Sequence, residues 1–548
     1  DLLNSMVWYN GYLGGSEQLS LNYQSEKLNL FGSLLGYTRG HKEATSLIQH
    51  IEGTKNVTVN QYDPLSYRNT MGEVNFGFNY DLNDENSIGA SYDLECEPYA
   101  KGHADGQQEI FNEGQPVDII KQKVLADDIG GPTHELNAYY VGKVNKLGVD
   151  FNGTYLWQKT GRDMLETEEA TVLENREIHT ASRRHNQLLA GKLVLSYPIA
   201  KGQLELGSEV SHTHSSGEYS NAEGIVADAS TDMKEDNLAG FLAFSYPLGS
   251  FSMDAGLRYE YVSAKYYSFG KYEEEPSRNY SNWFPNLTLS WNKEPWAASL
   301  AYTCKTKRPS YSSLRNEVQY DNRYMYEGGD PYLRPTIAHD VSLDVMCNWI
   351  SFGVEYLYED NPIIWYATLY KHQDIAFLRN MNFSSKQTMT AYVIAAPKFD
   401  WYQPTWQVFF QKPFFDAEKY GAPRGLSKPA LGITWNNKFK VSSTWTSWVT
   451  LHANTTSYNA FSRSRSGYFA SMRMVKTFFD EALTVNFYAD DIFRSQKDQW
   501  TMYGDHATLT KDSYNSAREI GVRVVYKFNS GHRKYKGSGA GNAEKSRF

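Results

Sequence analysis

Two histidines separated by one residue, His212 and His214, have the spacing in this sequence that comes nearest to a metal site. Residues two apart in a β-strand lie on the same face, so both imidazole rings point to one side. A zinc-like ion needs three or four such ligands, and no third candidate lies near the pair. We therefore interpret the two histidines as a solvated strand end, and we predict no metal and no cofactor.

No enzyme motif is recognisable elsewhere in the chain. A phosphate-binding P-loop, an HExxH zinc motif, an EF-hand loop and a dinucleotide fingerprint are all absent from the sequence. Serine, histidine and aspartate can form a hydrolytic triad, but a triad is recognised by its geometry and not by residue order. The sequence predicts no catalytic residue, and an enzyme is the least favoured of the functions considered.

Aromatic residues concentrate in two segments that connect predicted strands. Rings on such loops stack on sugar faces or peptide side chains at little entropic cost, which suits a receptor surface. The alternative is that the rings pack against one another within the loops. The predicted ligand-binding residues are Tyr320, Tyr324, Tyr326, Trp365, Tyr366 and Tyr370.

The elements that position these loops are strands, because apolar and polar residues alternate along most of the chain. In residues 73–82, Val74, Phe76, Phe78, Tyr80 and Leu82 share one face, and the other face holds only polar residues or glycine. The alternation resumes at 87–95 after a turn at 83–85, which predicts a hairpin. About 22 such segments follow from residue 17 to 528, each near the 9–11 residues that cross a bilayer when tilted.

The lengths of the connections distinguish a membrane barrel from a stack of soluble sandwiches. Short links alternate with long ones, as a transmembrane barrel with short periplasmic turns and long extracellular loops requires. The predicted short links are 25–27, 83–85, 144–146, 198–202, 248–249, 292–294, 436–438 and 478–481. The predicted long loops are 41–66, 96–133, 159–183, 213–235, 263–279, 305–337 and 493–512. The fold predicted is an all-β, transmembrane antiparallel β-barrel of about 22 strands.

Composition excludes two other classes of protein. The 548 residues include 41 Tyr and 13 Trp, the mean hydropathy is −0.58, and no apolar run is long enough for a spanning helix. A helical membrane protein is therefore excluded. A net charge of −9 leaves no basic field to attract nucleic acid, so we predict no nucleic-acid partner.

Charged residues of both signs lie on the polar faces of the predicted strands. Such residues suit a wet lumen or the interface with a domain that fills it, whereas a solvated wall in which no single residue matters is the simpler alternative. The residues predicted to face the lumen are Asp254, Arg258, Glu260, Asp340, Asp344, Arg473, Glu519 and Arg523.

Two loop motifs carry a resemblance to a known family. Residues 308–314 read Arg-Pro-Ser-Tyr-Ser-Ser-Leu, and residues 328–335 read Gly-Gly-Asp-Pro-Tyr-Leu-Arg-Pro. This pair resembles the signature of the TonB-dependent-receptor-like outer-membrane β-barrel family, Arg-Pro-x-Tyr-x-x-Leu followed by Gly-Asn-Pro-x-Leu-x-Pro. Arg315-Asn316 and Asp330 depart from that pattern but keep turn-compatible chemistry. Residues 361–363, 490–493, 526–529 and 534–537 add to the likeness.

The resemblance implies an outer-membrane receptor or transporter for a nutrient such as a glycan, peptide or metal chelate. It also implies a plug domain, its own or a separate one, within the barrel. Further partners would be outer-membrane lipid, a periplasmic energy-transducing protein and a surface lipoprotein. The alternative is a non-transporting scaffold barrel in a larger outer-membrane assembly. We expect residues 1–528 to form the barrel and residues 529–548 a basic periplasmic tail.

Two further expectations concern the wall and the lumen. Cys304 and Cys347 lie on the apolar sides of their strands, so we expect free thiols that point outward. A ring of about 22 strands encloses a lumen too wide for its own side chains to fill. We therefore expect a separate domain to occupy the lumen, with loops 96–133 and 305–337 only partly covering it.

Overall fold

A computed structural model describes residues 2–9, 11–514, 517–528 and 535–548, and nearly all of them are β-strand. The described strands form one sheet of 26 strands and one of four. In chain order they are β1 Leu2–Tyr9, β2 Tyr12–Gln24, β3 Leu28–Glu52, β4 Asn56–Asn83, β5 Asn86–Asn112, β6 Gln115–Val144, β7 Leu147–Ala170, β8 Arg176–Ile199, β9 Gly202–Asn221, β10 Ala229–Leu248, β11 Phe251–Ser268, β12 Lys271–Lys293, β13 Trp296–Lys307, β14 Val318–Asn322, β15 Met325–Gly328, β16 Thr336–Cys347, β17 Ile350–Asp360, β18 Ile363–Leu369, β19 Ala376–Asn382, β20 Ser385–Ala395, β21 Tyr402–Phe414, β22 Ala430–Ser442, β23 Trp445–Asn454, β24 Ser457–Asn459, β25 Ser462–Ser464, β26 Gly467–Phe478, β27 Leu483–Asp490, β28 Asp498–Tyr503, β29 Ala507–Tyr514 and β30 Glu519–Tyr526. Short 3-10 helices lie at Tyr370–His372 and Ala417–Tyr420, and a helix α1 at Asn542–Lys545.

The large sheet closes into a ring because its first and last strands pair. β1 runs antiparallel to β30, with Leu2 opposite Tyr526 and Tyr9 opposite Glu519. The closed ring has 22 antiparallel strands, as the sequence predicted. Closure leaves no sheet edge at bilayer depth, where each unpaired N–H or C=O group would cost several kcal/mol. The first residue of β1 and the last of β30 lie at the same end of the barrel, where the short turns are.

Apolar side chains form an exposed band around the outer wall near the short turns. Leu206, Leu242 and Leu257 face one another across three neighbouring strands, and all three are exposed. Similar rows elsewhere include Phe76, Leu136, Phe151, Leu300 and Phe487. Since about ten residues of a tilted strand cross a bilayer, this apolar band marks the membrane-spanning part of the wall.

One predicted short turn is wrong. Residues 436–438 lie inside β22, and the turn follows at 443–444 instead. The Asn-Asn-Lys sequence is typical of a turn, but in the structure the two asparagine side chains form hydrogen bonds within the sheet. Asn437 is buried and accepts a hydrogen bond from the Tyr402 hydroxyl at 2.7 Å, and Asn436 accepts one from Thr450 at 2.7 Å. The remaining short turns lie within a few residues of their predicted positions.

Most segments predicted as long loops are long hairpins instead. β5 and β6 run without a break to a two-residue turn at 113–114, so 96–133 is sheet and does not fold into the lumen as a loop. The predicted loops 41–66, 159–183, 213–235 and 263–279 are likewise mostly strand. Beyond the apolar band both faces of a strand can be polar, so the alternation that identifies a strand in the sequence disappears.

A second closure lies above the seam between β1 and β30. β1 and β2 form a short hairpin that ends well before the long-hairpin end of the barrel, whereas β3 continues far beyond them toward that end. β29, from the last long hairpin, pairs with the upper part of β3, with Ala507 opposite Ile51 and Tyr514 opposite Ala44. The sheet at the long-hairpin end therefore bridges over the short first hairpin.

The three cysteines are free thiols, as expected for Cys304 and Cys347. Register places Cys304 on the same face as the exposed Leu300, and Cys347 on the same face as the exposed Val341 and Leu343. Among the described residues, no helix is long and apolar enough to cross a membrane.

We predict that Leu242→Arg destabilises the barrel by about 2–4 kcal/mol, because the charge would lie near the middle of the apolar band. Urea titration of the protein refolded into lipid vesicles measures this free energy. Val172→Arg is the matched control, since Val172 is also exposed but lies in the turn after β7. Equal losses of stability in the two variants would contradict the placement of the band.

Candidate functional site

The long-hairpin end of the barrel is covered from inside by the small sheet, which we call the mouth sheet (β14, β15, β18 and β19). β14 and β15 come from the connection between β13 and β16, and β18 and β19 from the connection between β17 and β20. β15 and β19 pair in parallel, with Met325 opposite Ala376, and so join the two connections. The predicted loop 305–337 does fold inward.

An apolar core attaches the mouth sheet to the inner wall. Ile51, Val59, Ile110 and Ile120 of the long hairpins contact Met325, Ala367, Ala376 and Leu378 of the mouth sheet, and all are buried. A second cluster packs Tyr366 and Phe383 against Phe461 and the segment 417–426. Burial of this kind stabilises by about 1.5–3 kcal/mol per large side chain. The mouth sheet is therefore an integral part of the fold.

The six aromatic residues predicted to bind a ligand are divided by the structure. Tyr320, Tyr326 and Tyr366 are buried, with 2 to 5% of their surface exposed. The Tyr320 hydroxyl donates to Glu168 Oε1 at 2.8 Å, and the Tyr366 hydroxyl donates to the Tyr420 carbonyl at 2.9 Å. Their rings thus make the intramolecular packing considered as the alternative.

Trp365 is the most exposed of the six, at 43%. Tyr324 and Tyr370 are partly buried beside two different clusters of the mouth sheet. The Tyr370 ring lies edge-on to Tyr326, with 5.0 Å between centroids. The structure does not bring the six rings together into one patch.

A buried polar layer lies where the mouth sheet meets β7. Glu166 and Glu168 are each 1% exposed, and Glu168 forms an ion pair with Arg323, which lies between β14 and β15. Gln122 Nε2 donates to Glu166 Oε1 at 2.6 Å. Sequence reasoning missed this layer, although the spacing of Glu166 and Glu168 puts both on one face of a strand.

Burial makes two carboxyl groups of this layer weak acids. Desolvation, with the nearby charges of Glu168 and Asp321, raises the pKa of Glu166 to about 9. Desolvation also raises the pKa of Asp321 to about 8, with smaller contributions from Glu327 and Asp63. Both groups lie well above the apolar band. In a low-dielectric site without a counter-ion, burial favours the protonated form of a carboxyl group.

The charged residues predicted to face the lumen lie on three stretches of wall. On β11, Arg258 Nε donates to Glu260 at 2.6 Å and Arg258 Nη2 donates to Glu209 at 3.1 Å. Asp254 accepts from Ser245 on the neighbouring strand. On β16, Asp344 accepts from the Tyr392 hydroxyl at 2.5 Å, and Asp340 lies on the same face four residues nearer the mouth.

The third stretch adjoins the seam. Glu519 of β30 is paired with Arg39 at 2.9 Å. Arg523 lies in register between Ser5 and Asn486, and Arg473 lies between Trp448 and Tyr488. All eight predicted residues occupy the face opposite the exposed apolar band, but only Arg258 and Glu260 contact each other directly.

The inner wall also holds a segment of the chain that follows the barrel. Residues 529–534 of the predicted periplasmic tail lie outside the described residues, whereas residues 535–548 contact the wall. Lys536 pairs with Asp81 at 2.6 Å, Lys545 with Glu135 at 2.7 Å and Arg547 with Glu235 at 3.1 Å. The acidic side chains of the wall and the basic residues of this segment are thus mutual counter-ions.

The two histidines of the candidate metal pair lie on the outer face and contact carboxylates. His212 Nδ1 lies 2.7 Å from Asp236, and His214 Nε2 lies 2.6 Å from Asp232, both on β10. Thr213, between them, is buried on the inner side. Within the described residues, no group of three or more His, Cys, Asp or Glu side chains could hold a metal ion.

The sequence matches one known family of barrel proteins. Residues 142–526 match the family described as "Outer membrane protein beta-barrel family". No curated protein sequence matches the chain.

Solved structures resemble the chain over nearly its whole length. The copper transporter OprC has a TM-score of 0.64 at 12% identity, covering 96% of this chain and 80% of that protein. The FrpB iron transporter from Neisseria meningitidis has a TM-score of 0.58 at 11% identity, covering 96% and 81%. The ferric yersiniabactin uptake receptor FyuA from Yersinia pestis has a TM-score of 0.58 at 10% identity, covering 95% and 79%. At these identities the likeness shows a shared fold.

We predict that raising the pH loosens the mouth sheet. A carboxyl group with a raised pKa gives its full stabilisation at low pH, and this is lost progressively as the pH rises from about 4.5 toward about 9 for Glu166. Hydrogen exchange of residues 318–328 should therefore be faster at pH 9 in the native protein than in Glu166→Gln, and equal in the two at pH 5. Glu274→Gln, at an exposed residue, serves as control and should behave as the native protein. A pH response that Glu166→Gln leaves unchanged would contradict this assignment.

Proposed function

Because the chain belongs to the outer membrane protein β-barrel family, we propose that it is a TonB-dependent-type receptor and transporter that takes up a nutrient. The protein is located in the outer membrane. Its short turns would then face the periplasm and its long hairpins the exterior. The observation that carries the proposal is a 22-strand ring with a charged lumen that is closed at the outer mouth by structured segments.

The size of the ring supports passage of a solute. The side chains of an eight-stranded barrel fill its interior. A 22-stranded barrel encloses a wide lumen, and in transporters of that size a plug fills it. A scaffold that only anchors partners has no need of a wide polar interior. The ion pairs that Arg258 forms with Glu260 and Glu209 on the inner face of the wall support a polar interior.

The mouth sheet supports a gated pathway. It rests on the inner wall and covers the end at which an external ligand arrives, so uptake requires that it moves. The aromatic residues predicted for ligand contact belong to this sheet or to its borders, with Trp365 the one most open to solvent. We propose that Trp365, with Tyr324 and Tyr370, is part of the first contact surface for the ligand. Tyr320, Tyr326 and Tyr366 support that surface from below.

The similar structures suggest which ligands to test first. Those proteins are a copper transporter, an iron transporter and a ferric yersiniabactin uptake receptor. For this chain we propose that the nutrient is a metal chelate, a glycan or a peptide, and metal chelates are the first to test. The proposed partners are outer-membrane lipid, a plug domain, a periplasmic energy-transducing protein and a surface lipoprotein.

We predict energy-dependent uptake by cells that make the complete gene product. Copper, ferric enterobactin, ferric citrate, malto-oligosaccharides and short peptides, each radiolabelled, form the test panel. At least one should accumulate several-fold faster than in cells with an empty vector, and a protonophore should abolish the difference because a TonB-type partner draws on the proton gradient. A lack of energised uptake for every ligand, together with stable co-purification of other outer-membrane proteins, would favour the scaffold function.

We predict that Trp365→Ala and Tyr366→Ala separate ligand contact from packing. Trp365→Ala should weaken uptake of the cargo found above without lowering stability, because its ring is exposed. Tyr366→Ala should destabilise the mouth region by about 3–5 kcal/mol, because its ring lies 4.4 Å from that of Phe461 and leaves a cavity. Uptake kinetics and thermal unfolding measure the two effects. An unchanged uptake in Trp365→Ala would remove this residue from the ligand surface.

A further inference from the structure

Residues 535–548 follow the inner wall from the short-turn end of the barrel to the mouth. The Tyr535 ring lies edge-on to Tyr139, near the short turns, with 5.1 Å between centroids. At the far end Arg547 contacts the connection between β13 and β16. We call residues 535–548 the luminal strap. Between its ends the strap forms hydrogen bonds with β4, β7, β9 and β10, and Lys545 contacts β6.

The wall is shaped to receive the backbone of the strap. The N–H groups of Ser538, Ala540 and Gly541 donate to side chains of the wall, namely Asn152 Oδ1 at 2.9 Å, Thr154 Oγ1 at 2.9 Å and Glu209 Oε1 at 3.0 Å. Gly541 has a φ of +65°, and a Cβ added to it would lie 2.7 Å from Ala190 Cβ. Glycine is required there both for the conformation and for the close approach.

Buried charge fixes the upper end of the strap. The side chains of Arg547 and Glu235 are each 6% exposed and form a two-point ion pair. Glu544, 3% exposed, pairs with Arg308 at 2.9 Å, and Arg308 also pairs with Glu260 at 2.5 Å. Removing one member of such a network leaves the other charge buried and unpaired, which is strongly destabilising.

The same arginine connects the strap to the segment that covers the mouth. Arg547 Nε donates to the Pro309 carbonyl at 3.0 Å, and the Tyr311 N–H donates to the Arg547 carbonyl at 3.1 Å. The guanidinium also lies 4.1 Å from the centroid of the Tyr311 ring, which is 2% exposed. Pro309 and Tyr311 begin the connection that continues into β14 and β15. Strap, wall and mouth connection therefore share one network.

We propose that the inner wall of β4 to β10 is a docking site for the chain's own residues 535–548, and that the docked strap holds the mouth connection 308–333 in its inward position. The mouth connection is released when the strap leaves the wall. The consequence for transport rests on the proposed function, whereas the docking and the release do not.

The test measures access to a buried residue of the mouth connection in the complete gene product on living cells. Leu333 is 2% exposed, so Leu333→Cys, in a chain whose three native cysteines are replaced by alanine, should react slowly with a membrane-impermeant maleimide. Adding Arg547→Ala or Glu235→Gln should raise the labelling rate roughly tenfold or more, because either change breaks the buried pair. Removing residues 535–548 should raise it as far.

Two comparisons make the result specific. Arg424→Ala removes an exposed arginine from the long-hairpin end and should leave the labelling rate unchanged. The exchanged pair Arg547→Glu with Glu235→Arg should bring the rate back toward that of the parent. Migration of unheated samples in detergent gels, which separates folded from unfolded barrels, shows whether each variant has folded.

Unchanged labelling in the chain that lacks residues 535–548 would overturn the proposal, even if Arg547→Ala failed to fold. Labelling that rises equally in Arg424→Ala would overturn it as well. The readout requires no cargo and no energy source, so a failure of the uptake experiment and a failure of this one are distinguishable.

Discussion

Pairing of β1 with β30 is the interaction on which the rest of the structure depends. A strand in a bilayer has no water to satisfy its backbone, so a sheet can span the membrane only when its two edges meet. Eight residue pairs, from Leu2 with Tyr526 to Tyr9 with Glu519, make that junction. Once the ring is closed, the outward side chains must be apolar and the inward ones are free to be polar. The alternation along the membrane-spanning part of the barrel strands follows from this constraint.

Closure of so large a ring creates the second problem, which is an interior that the wall cannot fill. The structure meets it from two directions. Connections between strands fold inward as the mouth sheet and bury Met325, Ala376 and Leu378 against the long hairpins. A segment that follows the last strand lies along the wall and provides counter-ions for Asp81, Glu135 and Glu235. Carboxylates that would be costly to bury alone are thereby paired.

The sequence predicts the barrel well because the membrane forces a simple pattern on it. Residues 73–82 alternate so strictly that strand, face and neighbouring turn follow from the sequence alone. Above the apolar band that constraint ends. Residues 96–133 look like a loop because Asp118, Lys121 and Lys123 interrupt any apolar face, yet they form two long strands. These strands are held by pairing with neighbouring hairpins, and the sequence of one strand does not show which strand it pairs with.

The interior was predicted only in part, for a related reason. Alternation identifies Arg258, Glu260 and Asp344 as inward but says nothing about their partners. Those partners, Glu209, Arg308 and Tyr392, come from distant parts of the chain. The aromatic residues of 320–326 are a similar case, since a tyrosine that binds a ligand and one that packs inside a loop have the same sequence. The spacing of Glu166 and Glu168 indicates that both lie on one face of a strand. Their buried contacts with Gln122 and Arg323 are visible only in the structure.

The pairing of β29 with β3 has a consequence for the integrity of the wall. The junction of the first and last strands is held only by the pairing of β1 with β30, so a sideways separation of the wall there would expose unpaired backbone groups to lipid. Here any such separation must also break the eight residue pairs between Ala507–Tyr514 and Ala44–Ile51, which lie outside the membrane and span the same gap. The wall is thus closed by two sets of strand pairs along one line, one at the depth of the membrane and one beyond it.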